Sequence, residues 1–142
     1  MLKLVNQNDE KGKRNLQLLL DLYEYMINEK APLRAVRNYL VPGYIQHNPI
    51  LPTTADGTGM AFEKLLESFP NMRVEIHRVI AIEDYVWAHV NFINISNNDE
   101  NDLGVAGVDI FKFNEEGKIV EHWDVLQDVP TVQNSLNENG MF

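Results

Sequence analysis

Apolar side chains recur at steps of three and four in residues 15–29, where Leu16, Leu19, Leu20, Tyr23, Met26 and Ile27 form one helical stripe. Asn28 and the Ala31-Pro32 pair end it, because a residue ahead of proline avoids the helical region. Pro32 suits the first turn of a second helix through Leu33, Val36 and Leu40, which Pro42-Gly43 stops. Residues 44–54 hold Pro49 and Pro52 and are expected to be irregular; Asp56-Gly57 is a turn signal. Thr58 is expected to cap a third helix that runs to about Phe69 and closes at Pro70-Asn71. The period then changes to two. Val74, Ile76, Ile80 and Ile82 are expected on one face of a long strand, and Glu83-Asp84 makes a turn. Residues 85–95, 104–113 and 118 to about 126 predict three more strands, separated by the polar run 97–103 and a tight turn at 114–117. Such short connections favour antiparallel neighbours. Three N-terminal helices and a meander predict an α+β fold, the helices packed on one face of a curved, mainly antiparallel sheet.

Composition narrows the function classes. The chain has 142 residues, 44% apolar and 23% charged, the profile of one globular domain over 1–142. Twelve basic against 21 acidic residues leave a formal charge of −9, which argues against nucleic acid and anionic membranes as partners. Without cysteine there is no disulfide, thiolate nucleophile or cysteine metal site. No apolar run reaches the roughly 20 residues of a membrane span. The polar, mixed-charge segment Met1 to Lys13 does not read as a signal peptide, so a cytoplasmic protein is expected. The Asn94-Ile95-Ser96 triplet is then a chance glycosylation match.

The candidate chemistry lies in the strands. Asp109 interrupts the β-prone run VAGVDIFKF, and a buried carboxylate there must be hydrogen-bonded or protonated. The alternative is a solvent-facing aspartate. His89 lies two residues from Trp87, on the same strand face, and reads either as an acid/base partner or as a satisfied core histidine. His47 and Asn48 lie in the proline-bounded segment; on the last strand Trp123 faces away from His122 and Asp124. His77 shares its side with Glu75 and is expected in solvent, and the acidic run 99–102 reads as a solvated hairpin tip. One histidine and one aspartate on adjacent strands, in a pocket walled by Trp87, Trp123 and phenylalanines, would be poised to move protons near neutral pH. No two histidines stand at helical i, i+4 spacing, so no metal site is expected, and no phosphate loop or cofactor fingerprint appears.

Several segments resemble the SnoaL-like, polyketide-cyclase-related family: Tyr44-Ile45-Gln46-His47-Asn48-Pro49, Asp56-Gly57, Val79-Ile80-Ala81, Val108-Asp109-Ile110-Phe111, and above all the run from Gly117 to Gln127 (GKIVEHWDVLQ). The similarity spans about residues 15–130, leaves out the 134–142 tail, and is nearest to a bacterial branch of aldol-condensation-catalysing proteins. It implies a cystatin-like cone of the nuclear transport factor 2-like superfamily, with a deep pocket between sheet and helices and a homodimer formed through the outer sheet face. It implies a small hydrophobic carbonyl compound as ligand and aldol-type acid/base chemistry without cofactor or metal. By position Asp109 matches the family's general acid/base and His89 its partner; His47, Trp87, Trp123 and Tyr25 would bind or enclose the substrate, with Tyr23 the alternative to Tyr25. Cone folds also host isomerases, lyases and binding modules. Two other readings therefore stay open: a non-catalytic small-molecule binding module and a dimeric scaffold.

Overall fold

The computed structural model describes residues 1–142. Six strands form one sheet in the order β1-β3-β4-β5-β6-β2: β1 Leu2–Val5, β2 Leu40–Gln46, β3 Arg73–Ile82, β4 Tyr85–Ile93, β5 Val105–Phe113 and β6 Ile119–Asp128. The central meander β3 to β6 is antiparallel, as its short turns require, while β1 on β3 and β2 on β6 add parallel pairs at the two edges. Helices α1 Glu10–Tyr23, α2 Pro32–Tyr39 and α3 Ala55–Ser68 cover one face. Their buried side chains, among them Leu16, Leu19, Ile27 and Val36, meet Val79, Val86 and Val90 of the sheet in one core.

Helix α1 starts five residues before the apolar stripe. Its cap is Asp9, which accepts from the Gly12 N–H at 2.7 Å and from the Glu83 N–H at 2.7 Å, tying the helix start to the β3–β4 turn. After Tyr23 the helix widens into a π turn, Glu24–Asn28, which keeps Met26 and Ile27 buried. Helix α3 is capped by Thr54 and not by Thr58: the Thr54 hydroxyl accepts from the Gly57 N–H, whereas Thr58 lies inside the helix and donates to the Pro52 carbonyl.

Two further sequence expectations fail in the strands. The first part of 44–54 is not irregular. Tyr44 to Gln46 continue β2, because Ile45 and Gln46 pair with Glu121 and His122 of β6 and the two prolines fall beyond the strand. Nor do Val74, Ile76, Ile80 and Ile82 share a face. Ile76 pairs with Val90 and Arg78 with His89, so His77 is an extra, bulged residue and the side-chain parity reverses after it. Val74, Val79 and Ala81 are buried, while Ile80 and Ile82 stand exposed.

The β4–β5 loop depends on a left-handed glycine. Gly104 has φ +88°, and a Cβ there would lie 2.1 Å from Asn91 Oδ1 and 2.9 Å from the Phe92 carbonyl. Gly104→Ala is expected to lower stability by about 2–4 kcal/mol, combining positive-φ strain with overpacking. The check is a fall in the urea midpoint with an unchanged m-value.

Candidate functional site

Inner-face residues of β5 and β6 are set by register. Asp109 pairs with Asp124 and Phe111 with His122, so both aspartates and the histidine project to the helix side. The strand β2 adds Tyr44 and Gln46 by the same alternation, with Asn48 two residues further on. These groups form the polar end of a cavity of about 500 Å³ between sheet and helices. The remaining wall is mostly apolar, with Leu22, Met26, Phe62, Phe69, Phe92 and Ile95; Thr58, Ser96, Gln127 and Asp128 also line it. No lysine or arginine lines it.

Asp109 is 2% exposed. The Tyr23 hydroxyl donates to Asp109 Oδ2, while Oδ1 lies 3.5 Å from His122 Nε2. Tyr23 stays neutral, because burial raises its pKa well above the usual phenol value and the Asp109 charge raises it further. On the other side of the imidazole, Gln46 Oε1 contacts His122 Nδ1 at 2.8 Å and accepts from the Asn48 N–H at 2.9 Å. The backbone donor identifies that atom as the oxygen, so Nδ1 carries the proton and donates. The Gln46 amide nitrogen donates to the Tyr44 hydroxyl, and Asn48 Nδ2 donates to Asp124 Oδ2 at 2.7 Å. One atom each from Asp109, His122 and Asp124 therefore converge within 4.8 Å of one another. Two carboxylates directly opposite across a strand pair repel. The point between them calls for a positive or donating occupant, be it a proton, a cation or a ligand hydroxyl.

Of the residues given a catalytic or binding role in the sequence, Asp109 enters this site, and so does Tyr23, the alternative to Tyr25. His89 points the other way: it pairs with Val108, one residue from Asp109, and therefore lies on the outer face. There it contacts Arg78 at 2.9 Å and stacks on Phe142. Burial, then Arg78 and His77, lower its pKa. Trp87 is half exposed on the same outer face. Trp123 also faces outward and stacks on His47, whose Nε2 meets Glu121 at 2.9 Å. Tyr25 stacks on Tyr39 outside the cavity, and Tyr23 takes the inward position. His77 is half-buried beneath Phe142 and not in open solvent. His122, Asp124 and Asn48, noted in the sequence by position, and Gln46 carried no assigned role there. Their signal was polar alternation, with His122 and Asp124 two apart on one strand and Tyr44, Gln46 and Asn48 two apart on another. Asn94 is buried and donates to the Asp99 carbonyl, a structural role for the first residue of the glycosylation triplet.

Tyr44 shares the raised pKa, again chiefly through burial. A native pKa above the unfolded one gives stability that is complete below about pH 10 and lost as pH rises beyond it. Each tyrosine is expected to contribute a fall of about 1.4 kcal/mol per pH unit above that point. Urea titrations at stepped alkaline pH check this, and Tyr44→Phe should make the slope shallower by one tyrosine's share.

No helix is long and apolar enough to cross a membrane. No curated protein matches the chain at the sequence level. Solved structures of the same fold do. A proposed polyketide cyclase from Bacillus cereus ATCC 10987 superposes with a TM-score of 0.67 and 16% identity, covering 89% of this chain and 91% of the other. TsrD from Streptomyces laurentii gives 0.65 and 21%, with coverages of 79% and 87%. AclR from Streptomyces galilaeus, a proposed hydroxylase, gives 0.65 and 17%, with coverages of 82% and 90%. These likenesses establish the cone fold. The family model of SnoaL-like polyketide cyclases matches residues 17–134, a span that runs from α1 through the whole meander and contains every polar residue of the cavity. With its cone of helices on a curved sheet and a pocket between them, this chain belongs to the SnoaL-like polyketide cyclase family.

Proposed function

We propose that the protein binds an uncharged, largely apolar carbonyl compound in the cavity and moves a proton next to the carbonyl, as an aldol-type cyclase, isomerase or lyase does. The observation that carries this reading is Asp109. Its carboxyl group is buried at the polar end of an apolar cavity, with one oxygen held by Tyr23 and the other turned towards His122. The absence of basic residues from the wall supports a neutral ligand over an anionic one. In the productive form Asp109 is ionised and His122 is the imidazolium. Asp109 takes the α-proton while His122 Nε2–H donates to the carbonyl oxygen, and the enol forms. The enol then attacks a second carbonyl and gives its hydroxyl proton back to His122 Nε2 as its own carbonyl re-forms; the new carbon–carbon bond forms, and Asp109 passes its proton to the new alkoxide. Neither step calls on a cofactor. His122 takes the role that the family resemblance implied for His89. The reading includes a homodimer meeting through the outer sheet face, where Ile80, Trp87, Val108 and Val125 stand exposed.

The test is deuterium incorporation. Uncharged apolar ketones and β-dicarbonyl compounds are incubated with the protein in D₂O, and α-deuteration is followed by NMR. Wild type should accelerate exchange and Asp109→Asn should not. Equal exchange in both would remove Asp109 from the mechanism. Saturable binding without exchange would instead favour the binding-module reading.

A further inference from the structure

His47 stays outside the cavity, yet it stands between the two residues that brace the site. Gln46 before it takes the Nδ1 proton of His122 at 2.8 Å, and Asn48 after it holds Asp124 Oδ2 at 2.7 Å. Neighbouring residues of an extended chain point to opposite faces, so His47 lies outward while Gln46 and Asn48 lie inward. The backbone that carries all three is sparsely held. β2 is an edge strand with β6 as its single neighbour. Its register shifts between Leu40 and Ile45, so near the site its pairing with β6 comes down to Ile45, Gln46 and the His47 N–H, which donates to the His122 carbonyl at 3.0 Å. Beyond His47 the chain leaves the sheet and turns at Asn48, whose Oδ1 accepts from the Ile50 N–H at 3.0 Å.

Side chains on the outer face make up for this. The His47 ring stacks on Trp123 of β6, with centroids 4.8 Å apart and planes within 5°. Its Nε2 meets Glu121 Oε1 at 2.9 Å, and Lys112 of β5 stands 4.0 Å from the other Glu121 oxygen. Trp123 lies between His122 and Asp124 in the chain, so the ring grips β6 from outside at the residue whose two neighbours enter the cavity.

We propose that His47 is a positioning residue: clamped on Trp123 and oriented by Glu121, it fixes the end of β2 on β6 and so holds Gln46 against His122 and Asn48 against Asp124. Its effect on turnover rests on the acid/base reading above, but the clamp can be observed without turnover. A solvent-exposed ion pair adds little to global stability, so the clamp acts locally. Without it, Gln46 releases the His122 ring and Asn48 releases Asp124, and a misplacement of about 1 Å can cost as much as 10²-fold in rate. The bond from Tyr23 to Asp109 joins α1 to β5 and is independent of β2, so the general base itself stays in place.

The experiment follows two sets of protons by NMR hydrogen exchange in the full chain: the His122 Nδ1–H and the Asn48 side-chain amide. In His47→Ala both should exchange about tenfold faster or more, while the backbone amides of β3 and β4 exchange as in wild type. In the α-deuteration assay the same variant should lose about tenfold in kcat with KM nearly constant. His47→Phe, which keeps the stack on Trp123, should recover most of both losses. His89→Ala removes a stacked histidine from the same outer face and should change neither. Circular dichroism verifies the fold of each. Unchanged exchange at His122 and Asn48 in His47→Ala, acceleration spread evenly over the sheet, or no recovery in His47→Phe would each overturn the assignment. Local acceleration as expected, with no α-deuteration of any ketone by wild type, would keep the clamp and sink the acid/base reading alone.

Discussion

Asp109→Asn is expected to cut α-deuteration by about 10²–10⁴-fold, the usual contribution of a positioned general base. The substitution preserves shape and still accepts the Tyr23 hydroxyl bond through its amide oxygen, so the cavity stays built. What it removes is the atom that takes the proton. Binding of an uncharged ketone should change little, because the apolar wall supplies most of its contact area. The loss should therefore appear in kcat, with KM nearly constant. His89→Ala is the informative contrast. The resemblance alone casts that residue as the partner of Asp109, yet its ring stacks on Phe142 outside the cavity, and the variant should keep wild-type exchange. His122→Ala should fall with Asp109→Asn. A profile in which His89 matters and His122 does not would reverse the site assignment.

Phe113→Ala is expected to cost about 3–5 kcal/mol. Phe113 is 2% exposed, at the end of β5, beside its partner Ile119 and away from the cavity wall. Its N–H is bonded to the Asp84 carbonyl at 2.7 Å, so the backbone cannot easily move in to fill the hole. A domain of this kind has about 5–15 kcal/mol in all, so the change would take away a large share. Phe62→Ala should cost less. That ring faces an existing cavity and lacks packing partners on one side, so less contact is lost. Chemical denaturation of the two variants side by side measures the difference. Equal costs would mean that the cavity collapses around its apolar wall in solution.

Local pattern carried much of this architecture. The helical stripe at Leu16, Leu19, Tyr23 and Ile27 and the change to period two after residue 73 are properties of neighbouring residues, and they became α1 with its π turn and the meander. So did the polar hairpin tip at 97–103 and the tight turn at 114–117, which the chain chemistry specifies on the spot. Edge pairing was less legible. Leu2–Val5 and Leu40–Gln46 are strands because remote partners, β3 and β6, accept their backbone groups in parallel. No short-range pattern reports a parallel partner that far away.

The site shows the same division. Alternation correctly placed Trp87 with His89 and set Trp123 against His122 and Asp124, since parity within one strand is local. Which parity faces the helices depends on register between strands and on bulges. The pairing of Ala88 with Asp109 sends His89 outward, and the extra residue at His77 reverses the faces of β3. The sequence by itself thus determined the three helices and the four-stranded meander, the family and Asp109 as a candidate. Only the tertiary structure brought Asp109, His122 and Asp124 to one point, because their proximity arises from pairing between strands and not from spacing along the chain.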